Sequence, residues 1–378
     1  MGYFDFNATT PMCTPAIDKW LEIAKNFPGN PSSLHRIGRR ADHIVEESRR
    51  SIAEIIDCPP DNIIFTSGAT ESNNMVFRHL SSTLPENSEV WVSAIEHPCV
   101  RNSANFYFPN KVRNIEVTPQ GVVDPATLQK LIESAEVKPV CISIMAANNE
   151  TGALQNWKEY VEICKKNKIF YHCDAAQWLG KMPATEIGQC DFVSGASHKF
   201  SGPKGVGFIK LPFSTGVRPL ILGGGQEYGN RAGTENVPGI AAMASALQYR
   251  NNLLDEKFLE SRGFWKSEFI KKLCFSISGI EILGHPGTTL WNTVMVLMPE
   301  INCRQRWVVK LDKAGMAVSS GSACSSGEEK PSVVLTAMGL TTKQSGSALR
   351  FSGGWETQQK DWQHLFETLV EVFNELSS

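Results

Sequence analysis

The chain of 378 residues carries 37 lysines and arginines against 39 aspartates and glutamates, a formal net charge of −2. That near balance, with no basic block and no acidic tail, argues against a nucleic-acid footprint. The longest apolar runs, such as VCISIMAA at 140–147, fall far short of the roughly 20 residues of a membrane span. The start, MGYFDFNATTP, lacks the basic and apolar regions of a signal peptide, so a soluble cytoplasmic protein is expected. The ten cysteines show no CxxC or other metal-like spacing; most are read as reduced core residues, and no metal site is expected.

In chain order, ADHIVEESRRSIAEIID (41–57) has helical apolar spacing, and NIIFTSGATESNN (62–74) reads as a strand, a glycine turn and a helix start. EVWVSAIEHP (89–98), VCISIMAANNETG (140–152), IFYHCDAAQ (169–177) and CDFVSGASHKFSGPKG (190–205) are further strand-like pieces, with a helix over 157–167 between the second and third. Short β-rich runs joined by amphipathic helices predict an α/β fold with a mostly parallel sheet. In such sheets ligands sit beyond the carboxyl ends of the strands. The polar residues fall where the apolar runs stop: Ser67–Thr70, Glu96–His97, Asn148–Glu150, Asp174–Gln177 and Ser197–Lys199. A long helical stretch follows over about 235–274. Beyond it, GIEILG, WNTVMVLMP, AVSSGSA and ALRFSGG read as strands, with helices at 331–338 and 358–376. The expected domains are a large one over 15–255 and a smaller α/β one formed by 1–14 with 256–378.

Four pieces carry chemistry. Gly68, in TSGATES, leaves free amides at a helix start; this is either an ordinary capped helix or a phosphate seat with Thr70 adding a hydroxyl. Asp174, directly after an apolar strand, either caps a helix or holds a protonated ring nitrogen, with Gln177 in reach of the same ring. Lys199, among small residues and glycines, is either a solvated lysine or a desolvated amine able to form a Schiff base. His97 is either a satisfied loop residue or a stacking imidazole that moves protons. Phosphate seat, carboxylate and lysine together are the anchors that pyridoxal phosphate requires. In SSGSACSSGEE (319–329), Cys324 sits among serines and glycines with nothing bulky to pack it, a thiol on a tether spanning about 320–331 and expected to be mobile.

The sequence resembles the cysteine desulfurases of the NifS/IscS-like family, within fold type I of the pyridoxal-phosphate enzymes. The resemblance runs through DFNATTP, GNPSSLHRIG, FTSGATESNN, NNETG, CDAAQ, SHKFSGPKG, GGGQEYGNRAGTEN, SSGSACSSG and LRFSGG. It implies a large domain built on a mostly parallel seven-stranded sheet. It also implies conversion of L-cysteine to L-alanine, with the sulfur carried as a persulfide on Cys324. The acceptor protein would serve iron–sulfur assembly, tRNA thiolation or DNA phosphorothioation. Lys199 would carry the cofactor's Schiff base and move the substrate's α-proton, and His97 would stack on the ring. Asp174 would pair with the ring nitrogen, and Gln177 and Asn149 would lie near the ring hydroxyl, Asn149 also near substrate. Ala69, Thr70, His198 and Ser197 would line the phosphate, joined by Thr234 from the other subunit of a homodimer. Arg350 would clamp the substrate carboxylate. Ala196 stands where the family usually has serine, and Tyr228 and Trp355 stand where arginine is frequent. The last two changes are expected to remove charge near the cavity mouth. Cys303, beside two arginines, is read as an ordinary surface thiol. The competing readings are a lyase or aminotransferase acting on another amino acid, and a catalytically weak partner-binding relative.

Overall fold

A computed structural model describes residues 2–212, 216–284, 286–299, 307–320 and 331–377. Cys303 and Cys324 therefore lie outside the described residues. The chain opens with a two-residue strand, β1 (Gly2–Tyr3). Seven strands then build the main sheet: β2 (Ile63–Thr66), β3 (Val90–Ser93), β4 (Val112–Ile115), β5 (Cys141–Ser143), β6 (Phe170–Asp174), β7 (Phe192–Ala196) and β8 (Gly207–Lys210). Their order is β2-β8-β7-β6-β5-β3-β4, parallel throughout except that β8 runs against both of its neighbours.

The strands alternate cleanly between two covered faces, as the two-residue repeat of a strand requires. Trp91, Ile142, Tyr171, Val193 and Phe208 face one core, closed by helices Arg36–Ile56 and Val237–Asn252. Val90, Val92, Cys141, Phe192 and Ile209 face the other, closed by helices Ala69–Thr83 and Pro98–Tyr107. Each fully buried aliphatic or aromatic side chain contributes roughly 1.5–3 kcal/mol. Burial on both faces leaves the carboxyl ends of the strands as the natural site for polar groups.

A second, antiparallel sheet has β9 (Glu281–Leu283), β10 (Thr293–Leu297), β12 (Ser319–Ser320) and β13 (Ala348–Ser352) in the order β12-β13-β10-β9. Val294, Val296, Leu349 and Phe351 pack with residues of helices Glu256–Ser276 and Gln359–Ser377. The opposite face brings Met295 and Ala348 against Ile95 and Met145 of the main sheet's loops. β1 pairs in parallel with β11 (Met316–Ala317), tying the N-terminus to this smaller layer.

Two helices differ from the sequence expectation. The first begins at Arg36, because the His35 side chain accepts the Gly38 amide and caps it. The stretch over 235–274 is two helices, since Asp255 accepts the Phe258 amide and starts Glu256–Ser276 anew.

Trp355 and Tyr228 do not stand at a cavity mouth. Trp355 is 3% exposed in the core of the main sheet, where its indole Nε1 donates to the Gly180 carbonyl at 2.8 Å. The guanidinium of Arg250 lies 4.3 Å from its ring centroid and pairs with Glu356 at 2.7 Å. Tyr228 stacks on Arg49 at 5.1 Å and donates its hydroxyl to Glu46 at 3.0 Å. Arg49 in turn makes a buried two-pronged pair with Glu227 at 2.8 and 3.1 Å. In this chain an arginine at 355 would put a second guanidinium beside Arg250. Trp355→Arg is expected to cost roughly 3 kcal/mol or more, from lost ring burial and an unpaired buried charge. Chemical denaturation checks this, and an unchanged midpoint would overturn it.

Candidate active site

Where the carboxyl ends of β2, β3, β5, β6 and β7 meet the smaller sheet, a cavity of about 650 Å³ opens. Its wall brings together Ala69, Thr70, His97, Asn149, Asp174, Gln177, His198, Lys199 and Arg350, residues spread over 280 positions of sequence, with Ser319 and Ser320 closing one side. Ser197 and Thr234 are not part of the wall. Ser197 is fully buried with its Oγ unpartnered, and Thr234 is exposed elsewhere on the surface.

Gly68 makes the turn from β2 into helix Ala69–Thr83 at φ 150°, in the region that favours glycine, and no atom lies within 4 Å of where a Cβ would stand. The first amides of that helix have no intrahelical carbonyl to meet and face the cavity wall formed by Ala69, Thr70 and Glu71. Although burial opposes it, Arg231 at 2.9 Å and the Ser67 amide at 2.8 Å hold the Glu71 carboxyl below its usual range.

Across the cavity, the Lys199 amine donates to the carbonyls of Asn7 and Ala8 at 2.7 and 2.8 Å. Burial, with the nearby Arg350 charge, lowers its pKa to about 8. Arg350, on β13, donates to Asp5 at 2.6 Å and to the Asn149 carbonyl at 2.9 Å. Below the floor lies the fully buried Lys181, bonded to Asn7 Oδ1 at 2.9 Å and to Gln177 Oε1. Burial, then the charges of Lys199 and Arg350, push the Lys181 pKa well down. Lys199 and Arg350 in one cavity wall favour anionic groups.

Asp174 ends β6 and is 5% exposed; its Oδ1 accepts the Ala176 amide at 3.0 Å and its Oδ2 accepts Asn73 at 2.8 Å. Gln177 donates to the Asn7 carbonyl at 2.9 Å. His97 starts helix Pro98–Tyr107, its Nδ1 accepting the Cys99 amide at 3.2 Å, and burial lowers its pKa. His198 meets Thr9 Oγ1 at 3.1 Å, and burial followed by the charge of Lys199 lowers its pKa to about 4.

Several residues of the site escaped the sequence reading. Asp5, Asn7 and Lys181 orient Arg350, Lys199 and Gln177, and Cys99 lines the wall next to His97. Glu150 also lines it; burial raises its carboxyl to about 7, and Ser332 donates to it at 2.5 Å. Only the strand-end position of NNETG signalled Glu150.

The chain matches the model of the aminotransferase class-V family over residues 2–365. It belongs to that family. Among class-V relatives, the cysteine desulfurase IscS of Dictyoglomus turgidum is 35% identical over 382 residues, covering 99% of this chain and 95% of that protein. A NifS-like protein of solved structure superposes with a TM-score of 0.90 at 31% identity, over the whole of both chains. SspA, solved in complex with cysteine, gives a TM-score of 0.80 at 27% identity, over 93% of this chain and 98% of that one. Class-V membership implies dependence on pyridoxal phosphate.

Because burial favours the uncharged amine, Lys199 should react with an amine-selective acetylating reagent with a midpoint near pH 8 once any bound aldehyde is removed. Ordinary lysines follow a midpoint near 10.4. Peptide mapping across a pH series reads both, and a Lys199 midpoint among the surface lysines would overturn the assignment.

Proposed function

We propose that this class-V protein is a pyridoxal-phosphate-dependent cysteine desulfurase that converts L-cysteine to L-alanine and passes the sulfur, as a persulfide on Cys324, to an acceptor protein. The observation that carries the reading is the meeting of Lys199, Asp174 and the start of helix Ala69–Thr83 around one cavity beneath Arg350. The chain's relationship to the Dictyoglomus cysteine desulfurase and to the cysteine-bound SspA supports the substrate.

The residues fit the coenzyme. The helix start and the open space at Gly68, with Thr70 and His198 in the same wall, suit a phosphate. Asp174 suits a ring N–H, and the depressed Lys199 amine suits an aldehyde. When bound, the coenzyme supplies the electron sink that labilises bonds at the substrate's α-carbon.

The chain's own groups then divide the work. Arg350 binds the substrate carboxylate, its guanidinium held in place by Asp5 and the Asn149 carbonyl. The Lys199 amine, uncharged in half of the molecules near pH 8, removes the α-proton and returns a proton to carbon. His97 moves a proton at the substrate thiol. The Cys324 thiolate attacks the substrate sulfur: an S–S bond forms, the C–S bond breaks, and its electron pair takes up a proton to leave alanine. Ser319 and Ser320 stand in the cavity wall, and the four residues from Ser320 to Cys324 span at most roughly 14 Å. In the proposed homodimer, the exposed Thr234 reaches the phosphate of the neighbouring subunit. Among the described residues no helix is long and apolar enough to cross a membrane. We place the activity in the cytoplasm, with an acceptor in iron–sulfur assembly, tRNA thiolation or DNA phosphorothioation.

With L-cysteine and a thiol reductant, the protein should release alanine and sulfide in equal amounts. Lys199→Ala should lose both, and Cys324→Ser should lose sulfide release by about two orders of magnitude or more. Turnover in Cys324→Ser at the wild-type rate would point to a lyase or aminotransferase. No turnover in the wild type would point to a partner-binding relative.

A further inference from the structure

Cys99 is the second residue of helix Pro98–Tyr107 and part of the cavity wall. Its Sγ lies 2.9 Å from His97 Nδ1, and its own amide donates to the same nitrogen at 3.2 Å. On the far side, Asn73 Nδ2 donates to Sγ at 3.1 Å and to Asp174 Oδ2 at 2.8 Å. The Asn73 amide is fixed from behind, since its Oδ1 meets His172 Nε2 at 3.1 Å, and His172 Nδ1 meets Ser143 Oγ at 2.8 Å in the core. Burial lowers the His172 pKa to about 4, so the ring is neutral; with Nε2 carrying its proton, it donates to Asn73 Oδ1. Both Asn73 N–H groups then point forward, one to Asp174 and one to Cys99.

Burial and the charge of Asp174 push the Cys99 thiol up to about 12, so it is an S–H group at neutral pH. The sulfur accepts from Asn73, and the Thr70 hydroxyl is also within hydrogen-bonding reach of it; His97 Nδ1, at 2.9 Å, is the nitrogen acceptor toward which the thiol proton turns. That nitrogen therefore faces two donors, the thiol and the amide, and accepts from both only when it is unprotonated.

We propose that Cys99 is a positioning residue for His97: with Asn73 it holds the imidazole neutral, as the tautomer whose proton sits on Nε2, and ties it to Asp174. The coupling gives the two groups that flank the ring site a shared orientation. It also forces the proton that His97 exchanges onto the nitrogen remote from its helix. The inference rests on the reading of His97 as part of the desulfurase site, while the tautomer itself does not depend on turnover.

The other ionisable groups around His97 remain in place when Cys99 is changed. Asp174 favours the charged imidazole and Lys199 opposes it, while burial keeps the adjacent Glu96 carboxyl well above its usual range. Removing the thiol takes away a donor that only the neutral ring accepts and admits water to the ring edge. Both effects raise the histidine pKa.

The test is ¹⁵N NMR of histidine-labelled holoenzyme across a pH series, alongside kcat/KM for L-cysteine. In the wild type His97 should show a bare Nδ1 and a protonated Nε2 at pH 7. Cys99→Ala should move its midpoint up by about half a pH unit or more, and the acidic limb of kcat/KM should follow. Cys99→Ser, which keeps a donor at the same place, should restore both. An unmoved midpoint in Cys99→Ala, a wild type protonated on Nδ1, or a Cys99→Ser variant that behaves like alanine would each overturn the proposal. If the midpoint moves while the kcat/KM profile stays fixed, the positioning stands and the role of His97 in the reaction falls.

Discussion

The side chain and backbone of Asn7 form the joint on which the site depends. It is 1% exposed, and almost every polar atom it has is spent between layers. Its carbonyl accepts Lys199 and Gln177 at 2.7 and 2.9 Å, and its Oδ1 accepts Lys181 and Asn292 at 2.9 and 3.2 Å. Its Nδ2 donates to Thr293 and to the Asn149 carbonyl, and its amide donates to Ser352. One residue of the N-terminal segment thereby fixes the distance between the main sheet, which carries Lys199 and Gln177, and the smaller sheet, which carries Thr293 and Ser352. Each bond alone is worth on the order of 1 kcal/mol, but a buried polar group left unmet costs more than that. Any change in the seating of one layer on the other leaves several such groups unmet at once.

The same geometry sets the electrostatics. Burial first, then the charges of Lys199 and Arg350, lowers the Lys181 pKa, and burial first, then the charge of Arg350, lowers that of Lys199. Asp5 offsets part of this by pairing with Arg350 at 2.6 Å. The result is a site in which Lys199, its pKa near 8, lies beside a guanidinium held by Asp5. An amino acid presents both partners such a site selects: a carboxylate for the fixed cation and an amine near the adjustable one. The opposite wall, with Asp174 and the two histidines, provides carboxylate and imidazole chemistry instead.

Much of this was legible in the sequence, because two kinds of signal are local. The short apolar runs of β2, β3, β5, β6 and β7, and the switch to polar residues where they stop, pointed to Thr70, His97, Asn149, Asp174, Gln177 and Lys199, which share one cavity. The resemblance to the desulfurases added Arg350, which no local pattern would have brought there. What stayed hidden depends on contacts across hundreds of residues. Asn7 meets Thr293 and Ser352, Asp5 meets Arg350, and nothing near residues 5–7 announces either. Trp355 misled for the same reason: a position where charge is frequent in the family is here filled by a ring beneath Arg250, a residue on a distant helix. Ser197 was read as a phosphate-lining residue because it adjoins Ala196, where the resembled family usually has serine, but its side chain is fully buried and outside the cavity lining.

The proposed chemistry asks one thiol to be reactive in a site whose wall already contains another. Burial separates them. Cys99, held among Asn73, His97 and Asp174, has its pKa raised to about 12, and at neutral pH only about one molecule in 10⁵ would carry the thiolate that nucleophilic attack requires. A free thiol near 8.5 has a few per cent. That difference of three orders of magnitude in available nucleophile lets a cysteine lie against the substrate without taking its sulfur. Cys324, in SSGSACSSG, has only alanine, serine and glycine as its near sequence neighbours, with no bulky apolar side chain among them. Selectivity between the two thiols follows from the same desolvation that tunes Lys199: burial leaves the amine able to react and the wall thiol unable to.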